Sequence, residues 1–159
     1  MPRRRSVNLQ RNIGVDPKYG SSLIQKLINI VMERGKKSTA RAIVYDAMDV
    51  LVKKAGDQGK GLALFHKAFD NIIPAIEVRP RRVGGSVYQI PRPVEGNRGR
   101  ALAMRWLINA SSARSGKTMG ERLAHELMDA VQDRGGAIKK KVDMHRMAES
   151  NRAFSHFSW

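Results

Sequence analysis

Cysteine is absent from this chain, which excludes disulfides and thiolate zinc sites and fits a reducing compartment. Long apolar runs are also missing: no stretch approaches the roughly 18 consecutive apolar residues that a membrane-crossing helix needs. Acid is scarce, 14 Asp and Glu standing against 30 Lys and Arg for a formal net charge of +16. A charge that far from zero exceeds what solubility requires and points to a polyanionic partner, nucleic acid before an anionic membrane. Aromatic residues make up only 6% of the chain, too few on strand-like segments for the rows of stacking platforms that single-strand readers use.

The positive charge is segregated. Residues 1–41 hold ten Lys and Arg against two acids, 78–114 eight against one, and 134–159 six against two. The intervening 42–77 and 115–133 are slightly acidic, four against five and two against four. A merely solubilising surface intersperses its charges, so three basic blocks favour a binding face. The 159 residues fit one domain, able to bury roughly 70% of the surface its unfolded chain exposes.

Residues 1–18 lack periodicity and read as a basic tail, disordered until a partner arrives. The opening MPRRRSVNLQRNIGV begins like a signal peptide without the apolar run behind it, and shares arginine richness with organellar transit peptides. Helical spacing starts over 21–34 with Leu23, Ile24, Leu27, Ile28 and Val31, stopped by Gly35. Ser38 is placed to cap a second helix along Ala40, Ile43, Val44, Ala47, Met48, Leu51 and Val52, which AGDQGKG interrupts. A third, along Leu62, Phe65, Phe69, Ile72 and Ile73, ends at Pro74.

From Ala75 to Pro93 the period drops toward two, and Gly84-Gly85 suit a two-residue hairpin turn. Pro80, Pro91 and Pro93 bar this ribbon from the middle of a sheet, so it is an edge or a free arm. Helical spacing resumes at ALAMRW with Leu102, Trp106 and Ala110, broadened by Met104, Leu107 and Ile108 into the wide apolar surface of a central helix. Thr118 and Glu121 form a capping box for the next helix, closed by Arg134-Gly135-Gly136, and a last helix begins near Ala137. The fold expected is mainly α: one domain, 1–159, of about six helices with a two-stranded β-hairpin arm (75–93) between the third and fourth, and a C-terminal extension over 150–159.

Catalytic and metal motifs fail on inspection. SGKT at 115–118 lacks the glycine and preceding strand of a phosphate-binding loop, Ser111 standing where the glycine is needed. His125-Glu126 has Asp129 where a second zinc-ligating histidine belongs, and His66, His145 and His156 show no ligand spacing. No nucleophile elbow is present. Neither enzyme chemistry nor a cofactor is implied.

The arginines are the stronger signal. Arg81, Arg82, Arg92, Arg98, Arg100 and Arg105 issue from the ribbon and the helix after it, and a guanidinium fork matches phosphate oxygens two at a time. Tyr88 offers a face for a stacked base or for a neighbouring aromatic. Three readings fit: a binder of folded RNA, a DNA-bending protein with a helical body and β-arm, and a membrane-surface protein. The last lacks a helix pairing basic residues with an exposed aromatic or leucine face.

MPRRR at the start, GKKSTARAIVY at 35–45, RRVGGSVYQIP at 81–91, ALAMRW at 101–106 and the closing D-x-H-R-M-A-x-x-N-R-A-F-x-H-F together resemble the bacterial-type small-subunit ribosomal protein seven family. The resemblance implies a non-enzymatic helical body with a hairpin arm that binds the 3′ major domain of 16S-type rRNA and starts assembly of the subunit head. It also implies an arm near the exit-site tRNA and mRNA, contact with ribosomal proteins nine and eleven, and a place in a cytoplasmic or plastid ribosome. Matching motifs make Arg3, Arg4, Arg5, Lys36, Lys37, Arg81, Arg82, Arg105, Lys139, Lys140 and Lys141 expected rRNA contacts. Their basic neighbours Arg11, Arg79, Arg92, Arg98, Arg100, Arg114, Lys117 and Arg146 join them, while Val83, Gly84, Gly85, Ser86, Val87 and Tyr88 are expected near tRNA and mRNA. Departures from the family pattern include the glycine-rich RPVEGNRGR, read as a mobile joint, Ser111 and Ser112 in a turn usually more basic, and a closing HFSW.

Overall fold

The computed structural model describes residues 12–157. Helices α1 (Ser22–Val31), α2 (Lys37–Ala55) and α3 (Gln58–Ile72) precede an antiparallel ribbon of β1 (Ile76–Val83) and β2 (Ser86–Pro93). Helices α4 (Gly96–Ala113), α5 (Met119–Val131) and α6 (Gly136–Ser150) follow, and a 3-10 helix spans Arg152–Phe157. The mainly helical body with one hairpin between α3 and α4 is the architecture expected from the apolar periodicities.

Each helix turns one stripe inward. Ile24 and Ile28 of α1, Val44 and Leu51 of α2, Phe65 and Phe69 of α3, Leu107 of α4, and Leu123 and Leu127 of α5 are almost completely buried. Side chains of this size contribute about 1.5–3 kcal/mol each when removed from water. Helix α4 packs against α1, α3, α5 and α6, but α5 meets α2, α3, α4 and α6 more extensively, so the wide apolar surface of α4 does not make it the centre of the body. Thr118 caps α5 as expected, its hydroxyl accepting from Glu121 N–H at 3.2 Å.

Several boundaries move. Helix α1 stops at Val31, because Met32 turns to extended backbone, and the chain then passes through positive φ at Arg34 and Gly35 (51° and 76°). Ser38 is not the cap of α2; Lys36 precedes the helix and makes no side-chain capping bond. The GKG of AGDQGKG does not interrupt: it lies inside the first turn of α3. Gly61 is needed there, since a Cβ would stand 2.6 Å from Cγ2 of Val52, so close helix packing outweighs a propensity cost of about 1 kcal/mol. RPVEGNRGR is no loose joint either, for α4 begins at Gly96 and Gly99 is buried against Ile73.

The basic tail is shorter than 1–18. Asp16 is fully buried and accepts from Tyr45 Oη at 2.7 Å and from the N–H groups of Tyr19 and Lys18 at 3.0 and 3.1 Å. Lys18 Nζ reaches Asp49 at 2.7 Å and lies over the Tyr19 and Tyr45 rings. Its hydrogen bond holds the Asp49 carboxyl below the usual aspartate value. Two carboxylates and two tyrosines thus fasten the chain to α2 from Asp16 onward.

Candidate nucleic-acid interface

The arm's register runs from Ile76 opposite Pro93 to Val83 opposite Ser86. Gly84 and Gly85 both take positive φ, 56° and 92°, as a tight primed turn demands. Alternation then places Glu77, Arg79 and Arg81 on one face with Arg92, Ile90 and Tyr88 of the opposite strand. Arg82 and Val87, a cross-strand pair, lie on the other face and are exposed, and so are Gly84, Gly85 and Ser86 at the tip, with Val83 half-buried.

At the root of the arm Glu77 is buried, 6% exposed. Its Oε1 accepts from Arg79 Nε at 3.1 Å, and its Oε2 from Arg98 Nε of α4 at 3.2 Å. Burial alone would raise the Glu77 carboxyl, but the two arginines outweigh it and hold it below the usual glutamate value. Two further bonds join α6 to this region. His145 Nε2 accepts from Ala75 N–H at 3.2 Å, and Lys141 Nζ donates to the carbonyl of Asn71 at 2.7 Å. Desolvation, helped by the Lys141 charge, lowers the pKa of His145, a shift in favour of the neutral ring, the form that can accept. A groove of about 460 Å³ beside the root has Arg92 and Arg152 on its walls together with Ile76, Pro91 and His145.

Farther along the arm, Tyr88 packs on Phe154 and Phe157 of the 3-10 helix, with ring centroids 4.9 and 6.1 Å apart. Arg81 Nη1 donates to the carbonyl of Phe157. Of the two roles open to Tyr88, the structure shows the aromatic neighbour, and the 3-10 helix braces the arm.

Among the expected cation contacts, Lys36, Lys37, Arg79, Arg82, Arg100, Arg105, Lys117, Lys139, Lys140 and Arg146 are exposed. Lys141, Arg81, Arg92 and Arg98 are half-buried, and Arg3, Arg4, Arg5 and Arg11 lie outside the described residues. Arg114 differs from all of these. Its Nη1 donates to the buried Glu126 at 2.8 Å and its Nη2 to Asp129, so both terminal nitrogens face protein carboxylates. Ser111 is no turn residue: it is buried in α4 and donates to the Leu107 carbonyl at 2.7 Å. Sequence reasoning missed Glu77 and Glu126 as organisers. The available signal was the lone acid next to an arginine-rich strand in IEVRPRRV, since an acid amid cations is a candidate pairing centre.

This arrangement presents phosphate-matching donors. Among the described residues no group of three or more His, Asp or Glu is placed to hold a metal ion, and no helix is long and apolar enough to cross a membrane.

The family model described as ribosomal protein S7p/S5e matches residues 2–152. The chain is 54% identical to the small ribosomal subunit protein uS7 of Granulibacter bethesdensis over 157 residues, 99% of this chain and 98% of the relative. Against the same protein of Aeromonas hydrophila it is 54% identical over 159 residues, all of both chains. Against that of Gluconobacter oxydans it is 53% identical over 156 residues, 98% of this chain and 99% of the relative. A basic helical body with an arginine-bearing hairpin, matched end to end by such relatives, belongs to the ribosomal protein S7p/S5e family, whose members are structural proteins of the ribosome and not enzymes.

Proposed function

We propose that this protein binds the 3′ major domain of 16S-type rRNA as a primary binder, nucleates assembly of the small-subunit head, and lays its arm beside exit-site tRNA and mRNA. Ribosomal proteins nine and eleven of the small subunit are its protein neighbours. The observation that supports this best is an arginine-bearing arm tied to a helical body whose own lysines and arginines, among them Lys36, Lys37, Arg105, Lys139 and Lys140, are exposed, without rows of stacking aromatics. Phosphate contacts position such a protein, and the shape of a folded RNA junction supplies selectivity. The tip, Val83 to Val87, is neutral and exposed from Gly84 to Val87, suited to lie along a strand rather than to grip it.

Crosslinking the native protein in cells and sequencing the attached nucleic acid tests the reading. Small-subunit rRNA reads from the 3′ major domain are expected; recovery of genomic DNA would favour a DNA-bending architectural role instead. Binding should also weaken steeply with salt, each lost phosphate contact lowering the log–log slope by about 1.

A further inference from the structure

Arg79 and Arg98 come from separate elements, strand β1 and the first turn of α4, yet both end on the two oxygens of one carboxylate. Each uses its Nε–H to do so. Their terminal amino groups make no hydrogen bond to any described residue, and both side chains keep more than a third of their surface in water. Anchoring through Nε fixes the plane of a guanidinium while leaving open the end of the fork that pairs with phosphate oxygens. Arg92 stands directly across the ribbon from Glu77, so the site holds more cation than its one acid neutralises.

We propose that Arg79 and Arg98 form one pre-oriented backbone-phosphate site at the root of the arm, and that Glu77 is its positioning residue. This rests on the rRNA-binding reading and adds a residue of the wrong charge to it. Two free arginine side chains lose rotamer freedom on binding. Glu77 imposes that order before the RNA arrives. It also joins β1 to α4, so the site forms only when the arm sits correctly on the body.

The charge of Glu77 separates this role from simple electrostatics. Glu77→Gln keeps the shape and adds one unit of net positive charge, so attraction alone predicts tighter binding to RNA. Pre-orientation predicts the opposite, because a neutral amide loses two charge-assisted bonds. The full-length chain is titrated with in-vitro-transcribed small-subunit rRNA at several salt concentrations, with thermal unfolding followed in parallel. Glu77→Gln is expected to bind about tenfold more weakly, with a log–log salt slope reduced by about 1. Affinity equal to or above the wild type in a folded variant overturns the proposal.

Should Glu77→Gln fail to fold, the Arg79→Lys, Arg98→Lys double variant carries the test. It preserves net charge but has no guanidinium to hold by Nε, and a loss of about tenfold is again expected; unchanged affinity overturns the proposal. Absence of salt-sensitive binding by the wild type would instead remove the rRNA-binding reading itself.

Discussion

The arm root and the α4–α5–α6 junction each contain a buried glutamate paired with arginine, and they use the same chemistry to opposite ends. At the junction Glu126 and Asp129 take the two terminal nitrogens of Arg114, while the second oxygen of Glu126 accepts from Ala137 N–H at 2.8 Å. The guanidinium ties the end of α4 to α5, and Glu126 carries the link on to the start of α6. At the root Glu77 takes only the Nε of each arginine, and their terminal amino groups make no hydrogen bond to a described residue. Which nitrogen is engaged decides whether an arginine's terminal amino groups are taken up by protein carboxylates; counting cations cannot distinguish the two cases.

The largest effect is expected where the pairing is most closed. Glu126→Ala leaves the buried Ala137 N–H without its acceptor and Arg114 with Asp129 alone, and should cost about 3 kcal/mol in urea unfolding. A loss under 1 kcal/mol would mean that the junction is not the link described. Arg114→Ala should cost about 2 kcal/mol yet leave the salt slope of RNA binding unchanged. A fall of about 1 in that slope would place Arg114 with the arginines of the root and break the contrast.

Tyr88→Ala, which removes the ring between Phe154 and Phe157, should destabilise by about 1 kcal/mol and raise amide exchange selectively over Arg152–Phe157. Global exchange would show that the brace belongs to the core. Acid sharpens the contrast further. Because Arg79 and Arg98 depress the folded pKa of Glu77, its stabilisation is complete above the unfolded value of about 4.3 and fades as pH falls through the folded one. Glu77→Gln should therefore lose less stability between pH 5 and 3, at about those limits, than the wild type does. Smallest in stability is Lys139→Ala with Lys140→Ala: both side chains are exposed, so unfolding should be unchanged while the salt slope drops by up to about 2.

Local chemistry made much of the fold readable. The paired glycines and interleaved prolines of the ribbon, the T-x-x-E start of α5 and the long stripe of α2 each act within a few residues. Where sequence reasoning failed, the deciding contact was distant. GKG stays helical because Gly61 meets Val52 of another helix. The chain is anchored at Asp16 by a tyrosine 29 positions on, and Ala75 finds its acceptor 70 positions away in His145. None of these partners is signalled by spacing or propensity.

The amino-acid sequence by itself determined the net charge, its division into three basic blocks, the helical periods and the hairpin turn, because these are sums or short-range preferences. Only the tertiary structure decided which cations stay available. Arg98 and Arg114 sit at the two ends of the same helix and look alike in sequence, but one meets the side oxygen of a buried acid through Nε and the other is enclosed by two carboxylates. Hydrogen bonds form over about 3 Å, and only the folded chain brings such groups that close.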